Sequence, residues 1–84
     1  MDILEKVRSL IEEDLKEVNI FIDNIEYVKE DGNNFLRITI DKNGTIDIDD
    51  CVLASKIINP ILDSNDIIPD SYILDVTSKE RGEK

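Results

Sequence analysis

Leu36, Ile38 and Ile40 alternate with Arg37 and Thr39. A period of two places the three apolar side chains on one face of a strand and the polar ones on the other. Such a strand needs cover on one side only, and the flanking sequence offers helices to provide it. Ile3, Leu4, Val7, Leu10, Ile11, Leu15 and Val18 recur at helical spacing and predict an amphipathic helix over residues 2–18. Glu12 and Lys16 stand four apart on its polar side in the favourable order. Asp2 suits the positive end of the helix dipole.

The stretch 20–29 predicts a second strand of mixed parity. Phe21, Ile25 and Tyr27 share one parity, while Ile20, Ile22 and Val28 share the other. A bulge, or a partly covered second face, accounts for the mixture. Between this strand and the regular one at 35–41 lies Glu30-Asp31-Gly32-Asn33-Asn34, whose Gly and Asn accept positive φ. The pair is therefore an antiparallel hairpin. Asp41-Lys42-Asn43-Gly44-Thr45 is a loop by its turn residues. Asp47 then suits an N-cap, with Asp50 three residues on as the reciprocal acid of a capping box.

Cys51, Ala54, Ile58, Ile61 and Leu62 share one helical face, with Ile57 beside it. Pro60 lacks an N–H and clashes one turn back, which predicts a kink or a break at Asn59-Pro60. Asp63-Ser64-Asn65-Asp66 ends this helix, and Ile67-Ile68-Pro69-Asp70 is an extended connector. Residues 71–77 form the last strand, with Tyr72, Leu74 and Val76 on one face and Asp75 and Thr77 on the other. The order α-β-β-α-β predicts an α/β two-layer sandwich of the α+β kind. Its three-stranded sheet has both helices on one face. A right-handed crossover makes the last strand parallel to the second. Which strand it lies beside is left open.

The chain has 84 residues, enough for one domain with one core and no deep cleft. Its 20 Asp and Glu outnumber its 10 Lys and Arg, giving a net charge of -10. That balance opposes binding to a phosphate backbone, whose contacts are carried by Lys and Arg, and to an anionic membrane surface. It favours a basic protein partner, or else serves only to keep the domain soluble. No histidine is present, so the commonest general acid/base and metal ligand is missing. Together with the lack of a substrate pocket, this predicts a protein that is not an enzyme and needs no cofactor. One cysteine, Cys51, cannot form an internal disulfide, which fits a reducing, cytoplasmic compartment. The start Met1-Asp2-Ile3-Leu4-Glu5 carries acid where a signal peptide needs a base. No apolar run approaches the ~20 residues of a membrane span.

From Asp41 to Asp70, seven Asp face only Lys42 and Lys56. Asp41, Asp47, Asp49, Asp50, Asp63 and Asp66 are therefore the candidate partner-binding residues. An alternative use of the Asp41–Asp50 region is a divalent-cation-binding regulatory module. Its spacing is not that of an EF-hand, since counting from Asp41 the glycine falls at position four and Val52 at twelve. A capped helix start explains the same residues. Cys51 near a helix N-terminus suggests a nucleophile, but it has no histidine partner and lies on the apolar face, as a core thiol does. Phe35 and Arg37 share a strand face that looks outward.

Ile25-Glu26-Tyr27-Val28-Lys29-Glu30, a Gly/Asn turn and Phe35-Leu36-Arg37-Ile38-Thr39-Ile40-Asp41 resemble the ribosome maturation factor RimP family. So do Asp49-Asp50-Cys51 with Ser55, and Leu62-Asp63 through Ile68-Pro69 into Tyr72-Ile73-Leu74-Asp75-Val76-Thr77-Ser78. Order and spacing carry the resemblance, which extends from the first helix to Ser78. It implies an N-terminal α/β domain over residues 1–78 of a non-catalytic factor that binds the small (30S) ribosomal subunit during assembly. The partner is expected to be a basic ribosomal protein, contacted mainly by a C-terminal β-barrel. The domain itself is expected to be a monomer without nucleic-acid contact. Two departures stand out. Pro60 lies inside the second helix, and Lys79-Glu80-Arg81-Gly82-Glu83-Lys84 replaces the family's Ser-Pro-Gly-Leu type junction. Residues 79–84 are thus expected to be a flexible tail or a cut junction to an absent barrel.

Overall fold

A computed structural model describes residues 2–79. The chain runs α1 (Ile3–Lys16), β1 (Ile20–Glu30), β2 (Asn33–Lys42), α2 (Ile48–Asn65) and β3 (Ile73–Ser78). β2 is the middle strand, antiparallel to β1 and parallel to β3. Leu36, Ile38 and Ile40 are all fully buried. They form one cluster with Val7, Ile11 and Leu15 of α1 and with Ala54, Ile58 and Leu62 of α2. Both helices therefore cover the same face of an open mixed sheet, as the alternation in β2 requires.

The position that the sequence left open is filled beside β2. There Leu74 and Val76 pair with Leu36 and Ile38 and extend the apolar rows toward α2. α1 lies mainly over β1 and α2 over β3, so each helix covers one flank of the central strand. Asp31 and Gly32 form the hairpin turn, with φ of 53° and 79°. Two consecutive positive φ values are those of a type I′ turn, whose twist matches the strands that it joins.

The mixed parity of β1 has a single cause. The pairing with β2 slips between Ile22 and Asn24, so that Asp23 is an extra residue. Before the bulge Ile20 and Ile22 face the helices; after it Ile25 does, opposite Ile38, and Tyr27 follows on the same side opposite Leu36 but is exposed. One inserted residue reverses the side on which every later side chain emerges.

Helix α1 is shorter than its periodicity predicts, because Asn19 takes a left-handed φ of 66° and turns the chain into β1. Val18 leaves the helix yet still packs against the core. Pro60 does not break α2, which continues to Asn65. The bond that Pro60 forfeits is the one to the carbonyl of Lys56. Lys56 and Pro60 both lie on the exposed side, where water can satisfy that carbonyl. Beyond Ser78 the ladder persists for one more bond, from the Lys79 N–H to the Ile40 carbonyl at 2.8 Å. The remainder of the expected tail, residues 80–84, lies outside the described residues.

Deleting Asp23 forces either Ile20 and Ile22 or Ile25 and Tyr27 onto the open face. At about 1.5–3 kcal/mol for a fully buried large apolar side chain, and with Ile25 part-buried and Tyr27 exposed, the deletion should cost about 1.5 kcal/mol or more. Asp23→Ala keeps the bulge and loses only a surface ion pair with Lys79, so it should cost less than about 1 kcal/mol. Urea midpoints of the two variants test this; equal midpoints would refute the assigned register.

Candidate functional site

The six aspartates do not form one surface. Asp47, Asp49 and Asp50 stand at the start of α2, whereas Asp63 and Asp66 stand at its end. At 1.5 Å per residue, the helix separates Asp50 from Asp63 by roughly 20 Å. Asp41 lies near the end of β2.

The first group is turned inward on its own backbone. One carboxylate oxygen of Asp47 accepts the N–H groups of Asp49 and Asp50 at 3.1 and 3.3 Å. Asp50 Oδ2 accepts the Asp47 N–H at 2.9 Å, which completes the capping box. Asp50 Oδ1 takes Lys42 Nζ at 3.0 Å. The backbone bond from Asp47, with the Lys42 ammonium behind it, holds the Asp50 carboxyl below the usual carboxylate range. Asp41 accepts the Lys42 N–H at 2.8 Å. Among the described residues no three His, Cys, Asp or Glu side chains converge to hold a metal ion.

Cys51 is half-buried rather than fully enclosed, and packs against the core. Burial pushes its thiol pKa up, and the Asp50 and Asp47 charges add to this, against an opposing hydrogen bond with Ser78. Burial first, and the carboxylate neighbours second, thus hold the thiol in its protonated form, the opposite of what a nucleophile needs.

The second group borders an open groove of about 430 Å³ where the connector passes from α2 to β3. Asp63, Asp66 and Asp70 supply its charge, and Ile68, Tyr72 and Leu74 supply its apolar wall. Asp66 is the left-handed C-cap of α2, with φ of 49°. Its N–H donates to the Leu62 carbonyl at 2.9 Å. Ile68, buried in the core, anchors the connector. The Asn34 side-chain amide fixes its far end by donating to the Ser71 carbonyl at 3.1 Å. Among the described residues, none of these three aspartates forms a salt bridge with a lysine or arginine. Tyr72 registers their field. Burial raises its hydroxyl pKa first, and the Asp63 and Asp66 charges raise it further.

The helix-free face of the sheet is ordered in rows. Val28, Phe35 and Ile73 are register neighbours across the three strands, and Glu26, Arg37 and Asp75 form the next row. Arg37 Nε donates to Asp75 Oδ2 at 3.0 Å, and Arg37 Nη2 lies 3.8 Å from Glu30 Oε1. The hydrogen bond to Asp75, followed by the Glu30 charge, outweighs desolvation and raises the guanidinium pKa. Its charge centre lies 6.0 Å from the centre of the Phe35 ring. Phe35 and Arg37 thus share the outward face, with Arg37 already neutralised by its own sheet.

The sequence pattern puts Asp63 and Asp66 at a helix end and Tyr72 on the apolar face, as the structure has them, but reads Asp70 as connector and does not show that Tyr72 also walls the groove. The signal for the groove was Pro69-Asp70 between two apolar anchors, Ile68 and Tyr72. Only the fold shows that this segment returns beside the end of α2. Residues 4–79 match the RimP N-terminal domain family, from the first turn of α1 to the residue after β3.

The Asp50 carboxyl titrates lower when folded than when unfolded. Its stabilising effect is therefore complete above the unfolded value of about 3.9 and fades as pH falls through the lower folded value. Asp50→Asn should lower the urea midpoint at pH 7, and the gap from the parent chain should narrow by pH 3. A gap of constant size would show that the charge at Asp50 contributes nothing.

Proposed function

Because the chain belongs to the RimP N-terminal domain family, we propose that this ribosome maturation factor domain serves assembly of the small (30S) subunit. It does so by binding and not by catalysis. The observation that carries the reading is the family match over residues 4–79, which coincides with the whole folded unit.

The chemistry of the surface supports the same reading. A net charge of -10 repels naked rRNA and attracts basic ribosomal proteins. Asp63 and Asp66, joined by Asp70, are the carboxylates best placed for contact, since Asp47 and Asp50 bind their own helix start. Asp41 and Asp49, at the other end of α2, add to the net negative charge but not to this groove. The domain spans residues 1–78 and works as a cytoplasmic monomer without cofactor. Among the described residues no helix is long and apolar enough to cross a membrane.

Purified chain should associate weakly with immature small subunits at low salt and leave them as salt rises, because the contact is between exposed charges. It should not retain protein-free small-subunit rRNA at any salt. Sucrose-gradient sedimentation followed by immunoblotting reads both results. Absence from small-subunit fractions at low salt, or retention on naked rRNA, would overturn the proposal.

A further inference from the structure

The two edges of the sheet are built differently. β1 carries the Asp23 bulge and a run of charges at Glu26, Lys29 and Glu30. Bulges and edge charges are the devices by which strands refuse further pairing. β3 has six residues and neither proline, lysine nor bulge. Its one charged side chain, Asp75, is engaged by Arg37 on the open face.

The direction of the free main-chain groups follows from the ladder. The Lys79 N–H reaches the Ile40 carbonyl, so odd-numbered residues of this parallel strand turn their N–H and C=O toward β2. The N–H and C=O groups of Leu74, Val76 and Ser78 therefore point away from the sheet. Among the described residues, only the Ser78 carbonyl has a local contact there, with the Thr77 hydroxyl at 3.5 Å. The acidic groove opens at the N-terminal end of this same edge and includes Leu74 in its wall.

We propose that the free edge of β3 takes an extended, basic segment of a partner protein as a fourth strand, with a lysine or arginine of that segment seated between Asp63, Asp66 and Asp70. Main-chain bonds supply the affinity of such strand addition, and pockets for alternate side chains supply its selectivity. The proposal rests on the reading above, that the domain binds a basic protein, and adds where and how. A second copy of the chain is the poorer occupant, since two edges flanked by these aspartates would meet between molecules of charge -10 each.

The test uses the ¹⁵N-labelled chain and a synthetic peptide, Lys-Val-Lys-Val-Lys-Val-Lys, with Lys-Pro-Lys-Pro-Lys-Pro-Lys as a control of equal charge that cannot form a ladder. With saturating Lys-Val peptide, hydrogen exchange at the Leu74, Val76 and Ser78 amides should slow at least about tenfold, as newly bonded amides do. The Lys-Pro peptide should leave them unchanged. Replacing Asp63, Asp66 and Asp70 together by Asn should raise Kd for the Lys-Val peptide about tenfold or more at low salt. Val76→Pro removes one outward N–H without touching a bond to β2, and should weaken binding if the variant folds. Three outcomes would overturn the proposal: unchanged exchange at those amides, equal protection by both peptides, or protection that grows with chain concentration without peptide. Failure here leaves association with small subunits untouched, whereas absence of that association would not alter peptide binding at the edge.

Discussion

Everything in this domain depends on β2 being central and apolar on one side only. Leu36, Ile38 and Ile40 are buried completely, and both helices reach them. A chain of this size buries only about 60% of its unfolded surface, so it can build one such layer and not two. The opposite face of the same strand carries Phe35, Arg37, Thr39 and Asp41, and remains open. The one-sided core thus decides the two-layer architecture, and it also decides that the outer sheet face and the β3 edge meet the surroundings.

How much of this was legible depends on whether local pattern and tertiary pairing agree. In β2 they agree residue by residue, and the buried row could be read directly. In β1 they disagree because Asp23 adds one residue to one strand; the sequence showed the mixture but not which residue caused it. Pro60 misled in the other direction. A rule about backbone bonding predicts a break, but the lost bond falls on the exposed side, and the packing of Ala54, Ile58 and Leu62 carries the helix through. The place of β3 was illegible for a different reason. Helical length and strand direction do not name a neighbour, and only the match of Leu74 and Val76 to the apolar row of β2 does so.

The candidate site was legible as charge and illegible as geometry. Counting carboxylates from Asp41 to Asp70 finds an acidic half, yet the same residue type does two kinds of work there. Asp47 and Asp50 satisfy N–H groups that a helix start would otherwise leave open, and Asp50 also meets Lys42. Asp75 neutralises Arg37 in a similar way on the sheet. Carboxylates spent on their own fold add little to the attraction of a partner, because their charge is already opposed or bonded nearby.

Asp63, Asp66 and Asp70 differ in surroundings and not in chemistry. They gather where a left-handed C-cap, a buried Ile68 and the start of β3 bring two chain segments together. The local charge is uncompensated by any salt bridge among the described residues, and it borders the less protected sheet edge. An acidic groove alone would attract any cation, and a free edge alone would accept any strand. Placed end to end, they select for a chain that is both extended and basic. Because one requirement is directional main-chain bonding and the other is screened electrostatics, salt should weaken such a contact without erasing its register.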